Sequence, residues 1–87
     1  MSEQRPPLHR VTPERPYVAC WQAYGGHTMY VGALTGLQGE KYAGATSEVV
    51  EAAGFASATE AASSMSVWGY DGPWLRFELY RGQLRLF

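Results

Sequence analysis

The sequence predicts an α+β fold in which an antiparallel sheet of two β-hairpins packs on one short helix or helix pair, roughly in the order β-β-α-β-β. Three observations predict it. Apolar and polar residues alternate from Trp74 to Tyr80, which is the two-residue period of a strand. Gly25-Gly26 lies between two β-rich runs and indicates a hairpin turn. Ser57 and Glu60 have the spacing of a capping box, which begins a helix.

The chain of 87 residues is long enough for one domain. Residues 1–16 hold four of the five prolines, and this composition predicts an extended Pro-rich tail. Residues 17–87 then form a single α+β domain. Two interpretations of the tail stay open: a disordered terminus, and an arm that becomes ordered on a partner.

The first hairpin is expected to run from Tyr17 to Leu34. A two-residue loop at Gly25-Gly26 would place Trp21 opposite Tyr30 and Cys20 opposite Val31. We interpret the face with Val18, Cys20 and Val31 as buried under the helix, and the face with Trp21 and Tyr30 as exposed. The reverse assignment stays open, because both faces are apolar.

The middle of the chain reads as a loop from Thr35 to Gly44, with a short strand near residues 41–43. Residues 47–53 fit either a short helix, capped by Ser47 and ended by Gly54, or a strand. The capping box then starts the clearer helix, and Phe55 just before it should anchor that helix in the core. Its apolar stripe consists of Ala58, Ala61, Ala62 and Met65. We expect an edge strand at residues 67–70.

A closing hairpin is predicted from Trp74 to Phe87, with Arg81-Gly82 as its turn. This register pairs Leu79 with Leu84, Phe77 with Leu86, and Glu78 with Arg85. Leu75, Phe77 and Leu79 belong to the core face of the hairpin. The other face carries Trp74, Arg76, Tyr80, Arg85 and Phe87.

No constellation of residues indicates catalysis, a metal or a cofactor, so we expect a non-enzyme. Cys20 is the only cysteine, which excludes an internal disulfide and a cysteine zinc cluster, and we interpret it as a buried apolar residue. Its distance from His27 along the predicted hairpin is about 10 Å or more, too far for a nucleophile and its base. No apolar run approaches the ~20 residues of a membrane span, and the polar start does not resemble a signal peptide. These features predict a cytoplasmic protein without membrane contact.

The outward faces of the two hairpins are rich in aromatic residues, which make up 14% of the chain. We expect one contact face, formed by Trp21, Tyr30, Trp74, Arg76, Tyr80 and Arg85. Trp, Tyr and Arg are the residues that anchor protein interfaces. Three alternatives stay open: single-strand nucleic acid stacked on the aromatic rings, a homodimer seam, and a face closed by the chain itself. A net charge of −1 makes nucleic acid an unlikely partner.

The hairpin residues Tyr30-Val31-Gly32, a glycine-rich loop and then residues 53–62 resemble a layout found in small phage and mobile-element proteins. In that layout a hairpin leads to a Phe, a Ser/Thr cap and a Glu-Ala helix. The resemblance covers roughly residues 28–66. Phage proteins of this size include the anti-CRISPR inhibitors, which the chain also resembles in charge and single-domain build. The resemblance implies a non-catalytic inhibitor that binds and occludes a protein such as a Cas effector, located in the host cytoplasm if phage-encoded. It assigns no role to any single residue.

Overall fold

A computed structural model describes residues 6–80, and within them one antiparallel sheet carries one α-helix. The strands are β1 (Tyr17–Gln22), β2 (Thr28–Thr35), β3 (Lys41–Thr46) and β4 (Arg76–Leu79), and their spatial order is β3-β2-β1-β4. The helix α1 (Ala58–Val67) follows three strands rather than two. The predicted α+β class is therefore confirmed, whereas the predicted order of elements is not.

The β1–β2 hairpin has a three-residue loop instead of the predicted two-residue loop. The Ala23 N–H donates to the His27 carbonyl oxygen at 2.7 Å, which closes a loop of Tyr24, Gly25 and Gly26. Both glycines have positive φ, 87° and 85°, a conformation that glycine adopts without steric cost. The register consequently places Trp21 opposite Met29 and Cys20 opposite Tyr30, so the predicted pairing was wrong by one residue.

That shift of one residue exchanges the faces of one strand relative to the other. Ala19 and Trp21 of β1 share a face with Val31 of β2, and α1 packs on this face. Val18 and Cys20 lie on the opposite face with Tyr30, so our prediction that they lie under the helix was wrong. Both are nevertheless buried, because other segments of the chain cover that side.

The segment Ala52–Phe55, which we call the wedge, fills a gap between β1 and β2. The two strands pair directly only from Cys20–Tyr30 toward the loop. Beyond that point the Ala53 N–H donates to the Val31 carbonyl at 2.9 Å. Phe55 and Tyr17 exchange two backbone hydrogen bonds of 2.9 and 3.0 Å. The wedge therefore satisfies backbone groups that the separation of β1 and β2 would leave unpaired.

The described part of the Pro-rich segment, residues 6–16, packs against the wedge. The Val11 N–H donates to the Ala52 carbonyl at 2.9 Å, and the Gly54 N–H donates to the His9 carbonyl at 2.7 Å. Leu8 and Val11 are buried as members of the core. The segment turns at Pro13-Glu14, where Thr12 and Arg15 exchange two backbone hydrogen bonds of 3.0 and 3.2 Å, and its apolar residues pack in the core.

A 3₁₀ helix over Val49–Glu51 leads into the wedge. Residues 47–53 are thus neither the predicted helix nor a strand throughout, and Ser47 does not cap them. Thr46 organises the turn instead: its hydroxyl accepts from the Glu48 N–H at 3.1 Å and donates to the Glu51 carboxylate at 2.9 Å. The short strand predicted at residues 41–43 is present as the longer β3.

Helix α1 begins at the predicted cap, because the Ser57 hydroxyl accepts from the Glu60 N–H at 3.1 Å. Its buried residues are Ala61, Ser64 and Met65, and Ala62 of the predicted stripe is exposed instead. Phe55 is buried in the core beside the helix, as predicted.

The helix ends where an edge strand was expected. Gly69 has a φ of 92°, its N–H donates to the Ser66 carbonyl at 3.1 Å, and the Tyr70 N–H donates to the Met65 carbonyl at 2.7 Å. These two bonds form a Schellman motif, which satisfies the last carbonyls of the helix. The prediction of a strand at residues 67–70 was therefore wrong.

The strand β4 forms one edge of the sheet beside β1. Leu75 is buried and Phe77 packs against the core on the helix side, as expected for the core face of the closing hairpin. Leu79, which was also assigned to the core face, is 38% exposed near the end of the strand, so that assignment was wrong. The predicted turn at Arg81-Gly82 and the residues after it lie outside the described residues. No helix in the described part of the chain combines the length and apolar character needed to cross a membrane.

Gly54 is the glycine on which docking of the Pro-rich segment depends. A Cβ at this position would lie 2.5 Å from the Val11 Cα and still closer to the Arg15 carbonyl oxygen. Since both neighbours are backbone atoms, they have little freedom to move. We expect Gly54→Ala to lower the free energy of unfolding by at least about 2 kcal/mol in urea denaturation. Gly26→Ala, which meets no atom within 4 Å, is the control and should lose only about 1 kcal/mol, through its positive φ. Equal losses in the two variants would contradict this role of Gly54.

Two serines of α1 should respond in opposite directions to the same substitution. Ser57→Ala removes the cap and should lower the free energy of unfolding by about 1 kcal/mol. The hydroxyl of buried Ser64 finds no hydrogen-bond partner among the described residues, so Ser64→Ala should raise that free energy by about 1 kcal/mol. Chemical denaturation of both variants measures the difference, and a loss of stability in Ser64→Ala would show that its hydroxyl is satisfied.

Candidate functional site

The structure divides the predicted contact face into two groups. Trp21 and Trp74 meet on the helix side of the sheet, while Tyr30, Arg76 and Tyr80 belong to its opposite side. Arg85 lies outside the described residues. The six residues therefore do not form one continuous face over the part of the chain that is described.

Trp21 and Trp74 form an edge-to-face pair. Their ring centroids are 5.4 Å apart, and the ring planes meet at 79°. This arrangement places the positive edge of one ring against the negative face of the other, which is the favourable orientation of aromatic quadrupoles. Trp21 is half-buried against the core, whereas Trp74 is 51% exposed. The pair thus joins an anchored ring to an accessible one.

The turn before β4 holds Trp74 in place. The Leu75 N–H donates to the Gly72 carbonyl at 3.2 Å, and Pro73 lies within this turn. A Cβ on Gly72 would collide with the indole ring of Trp74. Glycine is therefore required at position 72 for the indole to lie where it does. Met29, opposite Trp21 in the hairpin, is also partly accessible. We call Trp21, Met29 and Trp74 the tryptophan patch.

The opposite side of the sheet carries a row of three residues on neighbouring strands. Cys20 on β1 lies between Tyr30 on β2 and Arg76 on β4. The Arg76 guanidinium pairs with the Glu78 carboxylate at 3.0 Å, and about half of each side chain is exposed. Nearby, Tyr30 and Tyr80 are half-buried against Val11, Val18 and Ala52, so neither ring is a freely exposed platform.

The environment of this row raises the pKa of two groups. Burial is the main cause for the Cys20 thiol, the Glu78 carboxylate raises its pKa further, and Arg76 acts in the opposite direction. Burial also raises the pKa of Tyr30, with smaller contributions from Tyr80, Cys20 and Glu78. A buried thiol with a raised pKa is mostly protonated at neutral pH, which makes it a weak nucleophile.

A shallow cleft of about 260 Å³ lies between the Pro-rich segment and α1. Phe55 and Ser64 line it together with Pro6, and the Arg15–Glu60 ion pair at 3.6 Å lies on its border. The Trp68 indole N–H donates to the Pro6 carbonyl at 3.1 Å, which joins the end of α1 to the Pro-rich segment. Within residues 6–80 no three His, Cys, Asp or Glu side chains come together as a metal site.

Comparisons of the chain with protein-family models, with curated proteins and with solved structures give no match. The sequence did not predict that the Trp74 indole ring packs directly against Gly72. The Gly72-Pro73-Trp74 run carried the signal for it, since a glycine two residues before a Trp leaves room for the ring.

The charges of Arg76 and Glu78 should shift the pKa of Cys20 in opposite directions. Glu78→Gln removes a carboxylate that raises this pKa, so we expect it to fall, and Arg76→Gln should raise it. The ¹³Cβ chemical shift of Cys20, followed against pH, measures both changes. Lys41→Gln, on the far edge strand, is the control and should leave the titration unchanged. Identical titrations in all variants would contradict the contact between this pair and the thiol.

The raised pKa of Cys20 also fixes how stability depends on pH. The folded state keeps the thiol proton at a pH where the unfolded state loses it. The contribution of this difference to the free energy of unfolding is therefore fully present below the ordinary pKa of 9.0. It is lost as the pH rises above that value.

Proposed function

We propose that this protein is a small non-catalytic binding protein, and that the tryptophan patch is its contact surface for a protein partner. The observation that carries the proposal is the exposure of Trp74, which is held edge-on against the anchored Trp21. The protein would act by occupying the partner's surface and blocking access to it.

The physics of interfaces supports this role for Trp74. A tryptophan buries a large area on binding, and its rigid ring loses little conformational entropy. The seat on Gly72 and the contact with Trp21 restrict the indole before the partner arrives, which lowers the entropic cost of binding. A ring arranged in this way is suited to be an interface hot spot.

The charge distribution favours a protein over nucleic acid as the partner. The chain has seven basic and eight acidic side chains, and this net charge of −1 gives no general attraction for phosphates. Arg76, the described basic residue beside Tyr30 and Tyr80 that could contact a phosphate, already pairs with Glu78 at 3.0 Å. A single-strand nucleic-acid complex would have to break that pair, and it would gain no attraction from a positive net charge.

A Cas effector is the partner class that we propose to test first, on the resemblance to anti-CRISPR inhibitors. The wider proposal of protein binding does not depend on that choice. A panel of purified Cas effectors, each assayed for DNA cleavage with and without the protein, tests the narrower one. Full DNA cleavage by every effector in the panel would exclude Cas effectors as the partner class. The wider proposal of protein binding would still be tested by affinity capture.

The decisive experiment is affinity capture from a bacterial lysate with the wild-type protein, with and without nuclease. We expect one stoichiometric protein to be retained after nuclease treatment. Trp74→Ala should reduce its recovery at least tenfold, which is typical of a hot-spot residue. The variant should stay folded, because Trp74 is half exposed and an aromatic pair contributes only about 0.5–1.5 kcal/mol beyond its burial.

Tyr42→Ala is the matched control, since Tyr42 is a similarly exposed aromatic residue on β3, the opposite edge of the sheet. It should leave recovery of the partner unchanged. If Tyr42→Ala abolished capture while Trp74→Ala did not, the contact surface would lie on the β3 edge. Material that disappears with nuclease would contradict the proposal in favour of nucleic acid.

A further inference from the structure

The strand β3 is the second edge of the sheet, and its outer side is unpaired among the described residues. It pairs with β2 over six consecutive residues, from Lys41 opposite Thr35 to Thr46 opposite Tyr30. The strand contains no proline and a single charge, at Lys41. Proteins usually protect edge strands with charges, prolines, bulges or short lengths, and β3 has little of this protection.

The hydrogen bonds of β2 identify which groups of β3 point outward. Val31 accepts from the Ala53 N–H, and the Ala33 carbonyl accepts from the Arg10 side chain, so these residues direct their backbone groups away from β3. Since Val31 and Ala33 are opposite Ala45 and Ala43, the bonds between β2 and β3 belong to the alternate residues. The N–H and C=O groups of Lys41, Ala43 and Ala45 therefore face outward.

An apolar patch lies beside this open edge. Tyr42 is 43% exposed, and a Cβ on Gly44 would lie 2.7 Å from the Leu34 side chain and 3.6 Å from the Tyr42 ring. Leu34 and Tyr42 therefore pack over the glycine. In the adjoining segments Leu37 is fully exposed and Val50 is half exposed. Large apolar residues at an unpaired strand edge are typical of an interface.

We propose that two copies of this chain associate through β3, which pairs antiparallel with its symmetry mate to form one sheet continuous across both copies. The pairing centres on Ala43, so that the outward groups of one copy bond those of the other. It places Tyr42 opposite Gly44 of the second copy and Lys41 opposite Ala45 of the second copy.

The sequence of β3 complements itself in this register. The large ring of Tyr42 faces a position without a side chain, and the arrangement repeats on the other side of the two-fold axis. Like charges do not meet, because each Lys41 faces an alanine. The association thus places the exposed Tyr42 within the contact between the two copies.

The test is sedimentation velocity of the full chain from about 1 µM to 500 µM, since a single strand pairing is a small interface with an expected dissociation constant on the order of 10–100 µM. We expect dimers to increase with concentration. Ala45→Lys places two Lys pairs opposite each other and should weaken association about tenfold, while Ala45→Glu, facing Lys41, should strengthen it several-fold. The double variant Lys41→Glu with Ala45→Lys should restore association to near the wild-type level.

Ala62→Lys, on the exposed side of α1, is the control for an added charge and should leave the dissociation constant unchanged. Circular dichroism confirms that each variant is folded. A monomer at every concentration would overturn the proposal, and so would Ala45→Lys and Ala45→Glu variants with equal dissociation constants. Trp74→Ala should dimerise normally, so this result is separate from the test of partner binding.

Discussion

The separation of β1 and β2 beyond the Cys20–Tyr30 pair is the constraint on which the rest of the structure depends. Two strands that part in a protein interior expose N–H and C=O groups, each of which costs about 1–3 kcal/mol if left unpaired. The wedge meets this demand through Ala53 and Phe55. Its other side then bonds the Pro-rich segment at His9 and Val11. One four-residue segment therefore connects two strands with the beginning of the chain.

The wedge also helps to determine which segments cover each side of the sheet. Phe55 enters the core and the chain turns at Ser57, so α1 begins directly over the face with Ala19 and Val31. Ala52 lies on the other side with Val11 and Val18. A domain of this size has few apolar residues with which to build a core. The wedge allows both sides of the sheet to be covered without a second helix. The wedge does not cover the outer edge of β3, where we propose pairing with a second copy. Nor does it cover the tryptophan patch, where we propose binding of a protein partner.

Several predictions made from neighbouring residues are confirmed, although those for residues 47–53 and 67–70 are not. The N-cap at Ser57, the anchor at Phe55 and the alternation of Leu75 and Phe77 depend on neighbouring residues, and the structure confirms them. The hairpin register was wrong because Gly25-Gly26 permits either a two-residue or a three-residue loop, and only the packing of both faces selects between them. The wedge could not be predicted, since its partners are distant in sequence and Ala52-Ala53-Gly54 has no strand propensity.

In the candidate site, too, some features could be predicted from the sequence and others depend on contacts between distant segments. The exposure of Trp74 could be predicted from residue type and position, and its proposed role as an interface anchor rests on that exposure. The split between the tryptophan patch and the row at Cys20 came from the register, and the ion pair that occupies Arg76 came from tertiary placement. The sequence identified residues suited to binding, whereas the fold determined which of them act together.

Amide hydrogen exchange at the wedge tests the central claim most directly. If the wedge joins the strands and the Pro-rich segment, the amides of Ala53, Gly54 and Phe55 should exchange as slowly as the paired amides of β1, because their opening requires the sheet to open. Ser47 and Tyr24 serve as references for exposed turn amides. Exchange of the wedge amides at the rate of those references would show that the segment opens independently, and it would contradict this account of the fold.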